Sequence, residues 1–190
     1  MKENMNLRKG LSFLAFGYLF VLVNFNLELN NLRVNLMPEF VGWILLFLAV
    51  PQLGSYTQDK PLLRWAPLAL AVVSGLSWAS GILLPEIPFL SRLQPLTGLL
   101  SAWYLYVLFG VLEVLAEDIG SNRGPTIRLL KYINVALALG VNLAAQIYAM
   151  TELEVAALAM VALGMLSLGA AIATLIVLFG LRKDAIRAGD

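Results

Sequence analysis

From Val155 to Leu181 the chain runs 27 residues without a charged side chain. A helix of that length extends about 40 Å, more than the roughly 30 Å of a bilayer's hydrocarbon core. A soluble domain of 190 residues has no core deep enough to surround such a rod. Five further uncharged stretches precede it: Gly10–Leu27, Phe40–Tyr56, Trp65–Leu84, Leu93–Leu112 and Tyr132–Met150. Together they predict an all-α fold, a polytopic membrane bundle of six transmembrane helices forming one integral membrane domain over 1–190. The expected helices cover about 10–29, 38–56, 62–84, 93–116, 126–150 and 154–183. Only Thr151-Glu152-Leu153-Glu154 separates the last two stretches, which predicts a tight antiparallel hairpin.

Composition narrows the chemistry. Hydrophobic residues make up 60% of the chain and charged residues 13%, against roughly 45–50% and 25% in soluble domains. A net charge of +1 leaves no basic surplus for nucleic acid. The chain has no Cys and no His. Disulfides, thiolate metal sites and cysteine catalysis are therefore excluded, and the commonest metal ligand and acid–base group is missing. No Gly-rich phosphate loop, nucleophile elbow or metal-ligand spacing occurs, so no catalytic residue, cofactor or metal is expected.

The basic residues orient the bundle. With the N-terminus inside, eleven of the 13 Lys and Arg residues fall on the inner side, and only Arg33 and Arg92 fall outside. This positive-inside bias predicts a multi-pass protein of the cell membrane with both termini cytoplasmic. The first span has a basic start, but Asn24-Phe25-Asn26-Leu27-Glu28 stands where a small-x-small cleavage site would be, so it reads as a retained helix.

Small residues at four-residue spacing predict close helix packing: Ala71, Gly75 and Ala79; Gly98 and Ala102; Ala136, Gly140 and Ala144; Gly169 and Ala173. Polar residues inside the spans are candidates for function. Asn24 and Glu28 lie four apart near the outer end of helix one, and Asn31 continues that face if the helix persists. Asn134, Asn142 and Gln146 form a polar stripe on helix five. Pro38 can open helix two without wasting a donor, Glu39 then complements the helix dipole, and Gly42 admits another backbone or a ligand. With Arg33 in the connecting loop, these groups crowd the outer half of the bundle. Asn24, Glu28, Arg33, Glu39, Asn142 and Gln146 are the expected ligand-binding residues, in an outward-opening pocket between helices one, two and five. The alternative is that they only stitch helices together at a wetted interface. Glu113 has two readings as well: a coupling or proton-binding carboxylate, or a helix-end acid paired with Arg123, Arg128 or Lys131. Trp43, Trp65, Trp78 and Trp103 fit anchoring at the membrane interface where they fall near span ends.

The stretch Val34-Asn35-Leu36-Met37-Pro38-Glu39-Phe40-Val41-Gly42-Trp43 resembles a pattern like Leu-Pro-Asp-Phe-Ile-Gly-Tyr in the first hairpin of a group of small multi-span proteins, mostly from Gram-positive bacteria. The resemblance covers about a sixth of the chain and carries no activity with it. Asn35-Leu36-Met37-Pro38 followed by Gly42 is also similar to the substrate-capture subunits of energy-coupling-factor vitamin transporters, which are six-helix proteins of this size. Helix one here lacks their Ala-x-x-x-Ala docking pattern, and the outer loop that follows it is short.

Three functional classes follow. The first is binding or transport of a small polar solute or lipid. The second is a non-transporting accessory protein with a membrane-protein partner, and the third is an intramembrane enzyme. The last is unmotivated: Ser74, Ser77, Ser80 and Ser101 have no Lys near their depth, and no Asp lies within a span. Beyond the lipid bilayer and such a solute or partner, no nucleic acid or cofactor is expected.

Overall fold

A computed structural model describes residues 2–22, 26–29, 32–35, 38–83, 88–151 and 153–188. Six helices dominate it: α1 (Lys2–Leu22), α2 (Glu39–Ala49), α3 (Pro61–Leu83), α4 (Pro88–Asp118), α5 (Gly124–Thr151) and α6 (Glu154–Arg187). Short connectors make sequential helices antiparallel neighbours, and α6 returns to pack on α1, closing a six-membered ring. Five segments are long and apolar enough to cross a membrane: Glu39–Thr57, Pro61–Ser80, Leu93–Asp118, Gly124–Thr151 and Glu154–Arg187. The first helix carries Lys2, Glu3, Arg8 and Lys9 in its first half. Its apolar residues Leu11, Leu14, Ala15 and Tyr18 are buried against the ring.

The core fills the centre of the ring with Trp43, Leu46, Tyr104, Phe109, Leu112, Leu115, Ile127 and Leu181. On the outside, Leu158, Met165, Leu166, Ile172 and Ile176 of α6 are all exposed. A continuous apolar exterior of this kind is stable only in lipid.

The end of the first expected helix is a correction. Instead of helix to residue 29, Asn26–Leu29 (β1) pairs antiparallel with Leu32–Asn35 (β2). The sequence Asn-Leu-Glu-Leu…Leu-Arg-Val-Asn alternates with period two, and the register sets Glu28 opposite Arg33 and Leu27 opposite Val34. Glu28 therefore has no helical neighbour at four-residue spacing. Helix two is also shorter than expected. It leaves α geometry after Ala49 and continues as 3-10 turns over Val50–Thr57. Pro51 lacks the N–H that the α ladder needs, and Gly54 takes φ +59°, a conformation open to glycine. The Thr57 hydroxyl closes this segment by donating to the carbonyls of Val50 and Gly54, 3.0 and 3.1 Å away.

Glycines decide where helices touch. A Cβ on Gly42 would lie 2.7 Å from the Gly17 carbonyl oxygen, and one on Gly17 would lie 2.9 Å from that of Gly42. The two glycines mark the α1–α2 crossing, where the backbones meet directly. Of the expected small-residue stripes, Gly140 faces Leu163 of α6 at 3.4 Å, whereas Gly169 has open space around it.

Candidate functional site

The ring does not close tightly at the end where α2 and α4 begin and α5 ends. A cavity of about 280 Å³ remains there between α2, α3, α4 and α5. Glu39 and Trp43 line it from α2, Leu70 from α3, Gln94, Thr97, Gly98 and Ser101 from α4, and Asn142 and Gln146 from α5. Three of the six expected ligand-binding residues, Glu39, Asn142 and Gln146, thus share one wall-to-wall space. Glu28 and Arg33 lie in the hairpin, paired in register, and their side chains lie outside what the structure describes. Asn24 lies outside the described residues. Among the described residues, α4 supplies a wall that the sequence reading did not include.

Local geometry explains each lining group. Pro38, with φ −63° and ψ 126°, is the N-cap of α2 and places Glu39 in its first turn. Trp43 lies one turn further on the same face, and its indole Nε1 donates to Glu39 Oε1 at 2.8 Å. The Trp43 ring is only 2% exposed and meets the Tyr104 ring edge-on at 5.7 Å. The interfacial-anchor reading is therefore overturned for Trp43. It holds its ring in the core and its N–H on the carboxylate, whereas Trp65 and Trp103 are exposed. Next to Trp43, the buried Tyr104 hydroxyl finds no hydrogen-bond partner among the described residues.

The cavity wall is rich in acceptors. Thr97 and Ser101 donate their hydroxyl protons to their own helix, to the carbonyls of Gln94 and Gly98, each at 2.9 Å. Their lone pairs remain for the cavity. Asn142 Nδ2 donates one proton to the Ala138 carbonyl at 2.8 Å, which leaves its second N–H and the amide oxygen for the cavity. That oxygen lies 2.0 Å from where a Cβ on Gly98 would sit, so the Asn142 amide occupies the space that glycine leaves on α4. Glu39 is half-buried, and among the described side chains, which do not include that of Arg33, no cation pairs with it. A partly desolvated carboxylate facing hydroxyl and amide oxygens attracts a cationic, hydrogen-donating group.

The helix-five stripe divides. Eight residues advance a helix by about 80° beyond full turns, so Asn134 points away from Asn142. Asn134 is buried, accepts from the Tyr18 hydroxyl at 2.6 Å, and donates to Thr174 Oγ1 at 3.1 Å and to the Leu130 carbonyl at 2.9 Å. It ties α1, α5 and α6 together and has no part in the cavity. Glu113 accepts from Arg128 Nε and from Lys131 Nζ, the latter at 3.1 Å, which places it as a helix-end acid in an ion-pair network. Arg123 lies elsewhere, on Asp184.

Sequence reasoning missed Gln94, Thr97, Gly98 and Ser101. Their spacing of three, four and seven residues puts them on one face of α4, and that polar stripe in an apolar span was the available signal. Comparison with protein-family models, with curated proteins and with solved structures finds no match to this chain.

Proposed function

We propose that this chain is a multi-pass protein of the cell membrane that captures a small, positively charged polar solute in the Glu39 cavity, without catalysis. One observation carries this reading: a half-buried carboxylate, with no cation beside it among the described side chains, lines a polar space of about 280 Å³. That volume lies at the small end of ligand pockets, suited to a solute of a few heavy atoms. Trp43 and Leu70 also line the space and give it an apolar side for the carbon skeleton of an organic amine.

Glu39→Gln separates this reading from a purely structural one. The substitution keeps the Trp43 hydrogen bond and deletes the charge. Binding of small amines such as ethanolamine or choline, followed by tryptophan fluorescence and calorimetry, is expected to weaken by about 10- to 100-fold, the worth of one charge-assisted contact. The melting temperature should move by only a few degrees. Equal binding of an amine and its neutral isostere to both forms would sink the proposal.

Orientation belongs to the same reading. Eleven of 13 basic residues sit in the first half of α1, in the α2–α3 and α4–α5 connections and the first turns of α3 and α5 that follow them, and at the C-terminal end of α6. Those segments face the cytoplasm, and the cavity opens outward. Cysteine introduced at Arg92 should react with an impermeant thiol reagent from the outer face, and cysteine at Lys60 only after the membrane is opened. Labelling of the Arg92→Cys variant from the inside alone would refute the orientation.

A further inference from the structure

At the opposite end of the bundle a larger cavity, of about 600 Å³, lies between the α4–α5 turn and the end of α6. The turn is closed by Gly120 at φ +66°: Ser121 N–H donates to the Ala116 carbonyl at 2.8 Å and Gly120 N–H to that of Glu117 at 3.0 Å. This end stop holds Ser121, Asn122 and Arg123 over α6, facing Asp184 and Arg187. Asp184 Oδ2 accepts from Ser121 Oγ at 2.7 Å and from Arg123 Nε at 3.0 Å.

The Arg123 guanidinium lies over Gly180 of α6. A Cβ on Gly180 would lie 2.2 Å from its Cζ and 2.5 Å from each terminal nitrogen, so the planar head rests on bare α6 backbone. Nε is held by Asp184, while neither terminal nitrogen hydrogen bonds to a described residue. Arg187 is exposed on the cavity wall and has no ion pair among the described residues. Among the described lining residues two guanidinium groups thus face one carboxylate, a net positive charge. Thr126 and Asn122 add neutral donors. The planar Arg123 fork, held at Nε, matches the oxygens of a phosphate group, and Arg187 adds a second positive charge beside it.

We propose that this cavity binds a phosphate group, carried by the headgroup of an anionic phospholipid. The cavity sits where the apolar exterior ends. Leu129 of α5 and Ile176 and Phe179 of α6 are exposed on the membrane side of it, along the path that acyl chains would take. Arg182 and Lys183, also exposed, extend the basic character around the same helix end. The site is independent of the Glu39 cavity and rests only on the membrane setting of the chain.

The test uses the full chain in detergent, titrated with phosphatidylglycerol, with phosphatidylcholine and with inorganic phosphate, and read by native mass spectrometry and thermal stability. Phosphatidylglycerol should be retained in preference to phosphatidylcholine, and Arg187→Gln should weaken that retention about fivefold, the scale for one basic residue beside an anionic headgroup. Arg123→Gln should do the same or more. If that variant fails to fold, Arg187→Gln still decides, because its side chain is exposed. Arg182→Gln, off the cavity wall, should change retention much less. Stabilisation by inorganic phosphate equal to that by phosphatidylglycerol would support the phosphate site and assign it to free phosphate. Equal retention of both lipids without a phosphate effect, or equal losses in Arg182→Gln and Arg187→Gln, would overturn the proposal.

Discussion

Gly42→Leu is expected to abolish a folded, monodisperse protein in detergent, because the α1–α2 crossing has no room for a side chain. The first atom of any side chain at this position would meet the Gly17 carbonyl oxygen, Val21 Cγ2 and Val21 N, all within 2.8 Å. Contacts that short force the helices apart along their whole interface, and α1 would lose its seat against α2 near Leu46. Overpacking of this kind costs about 3 kcal/mol or more when the clash is with backbone that cannot rotate away. Gly169→Ala is the matched control. Nothing lies within 4 Å of its Cβ position, so the alanine should be neutral or stabilising by up to ~1 kcal/mol through helix propensity. Melting followed by size-exclusion chromatography reads both variants. A Gly42→Leu protein that melts within a few degrees of the parent would mean that α1 and α2 do not cross here.

Glu113→Ala should be the most damaging removal of a charged side chain. Glu113 and Lys131 are each largely buried, their side chains 12% and 11% exposed, and Nζ lies 3.1 Å from Oε2. Without the carboxylate, the ammonium keeps only the faces of Tyr106 and Tyr132, whose centroids are 5.3 and 5.1 Å away. Orphaning one partner of a buried ion pair is strongly destabilising, and the two ring faces offset part of it, leaving a loss of about 2–4 kcal/mol. The second substitution Lys131→Met should recover most of that loss, since it removes the stranded charge and keeps the volume. A double-mutant cycle in chemical unfolding measures the coupling. If Glu113→Ala alone costs under about 0.5 kcal/mol, the pair is wetted and carries no weight.

Hydropathy and charge are properties of single residues summed along the chain, and the sequence by itself determined whatever depends on them. The absence of charge over Val155–Leu181 requires a long apolar helix whatever packs beside it. Pro38 likewise begins α2 for reasons internal to the residue, its fixed φ and missing N–H. The placing of Glu39, Asn142 and Gln146 at one end followed from span direction alone, because alternating helices put the start of the second and the end of the fifth on the same side of the bundle. Tertiary structure decided the rest. Whether Asn26–Leu29 continued a helix or paired with Leu32–Asn35 turned on a partner strand, which a local pattern does not weigh. Asn134 and Asn142 read as one stripe until ring closure turned the first toward Tyr18 and Thr174 and the second toward Gly98. The fourth wall of the cavity and the burial of Trp43 came from which helix stands opposite α2. That choice belongs to the packed ring: the faces of six helices can be assigned only together, when side-chain volumes and glycine contacts settle which pairs of surfaces fit.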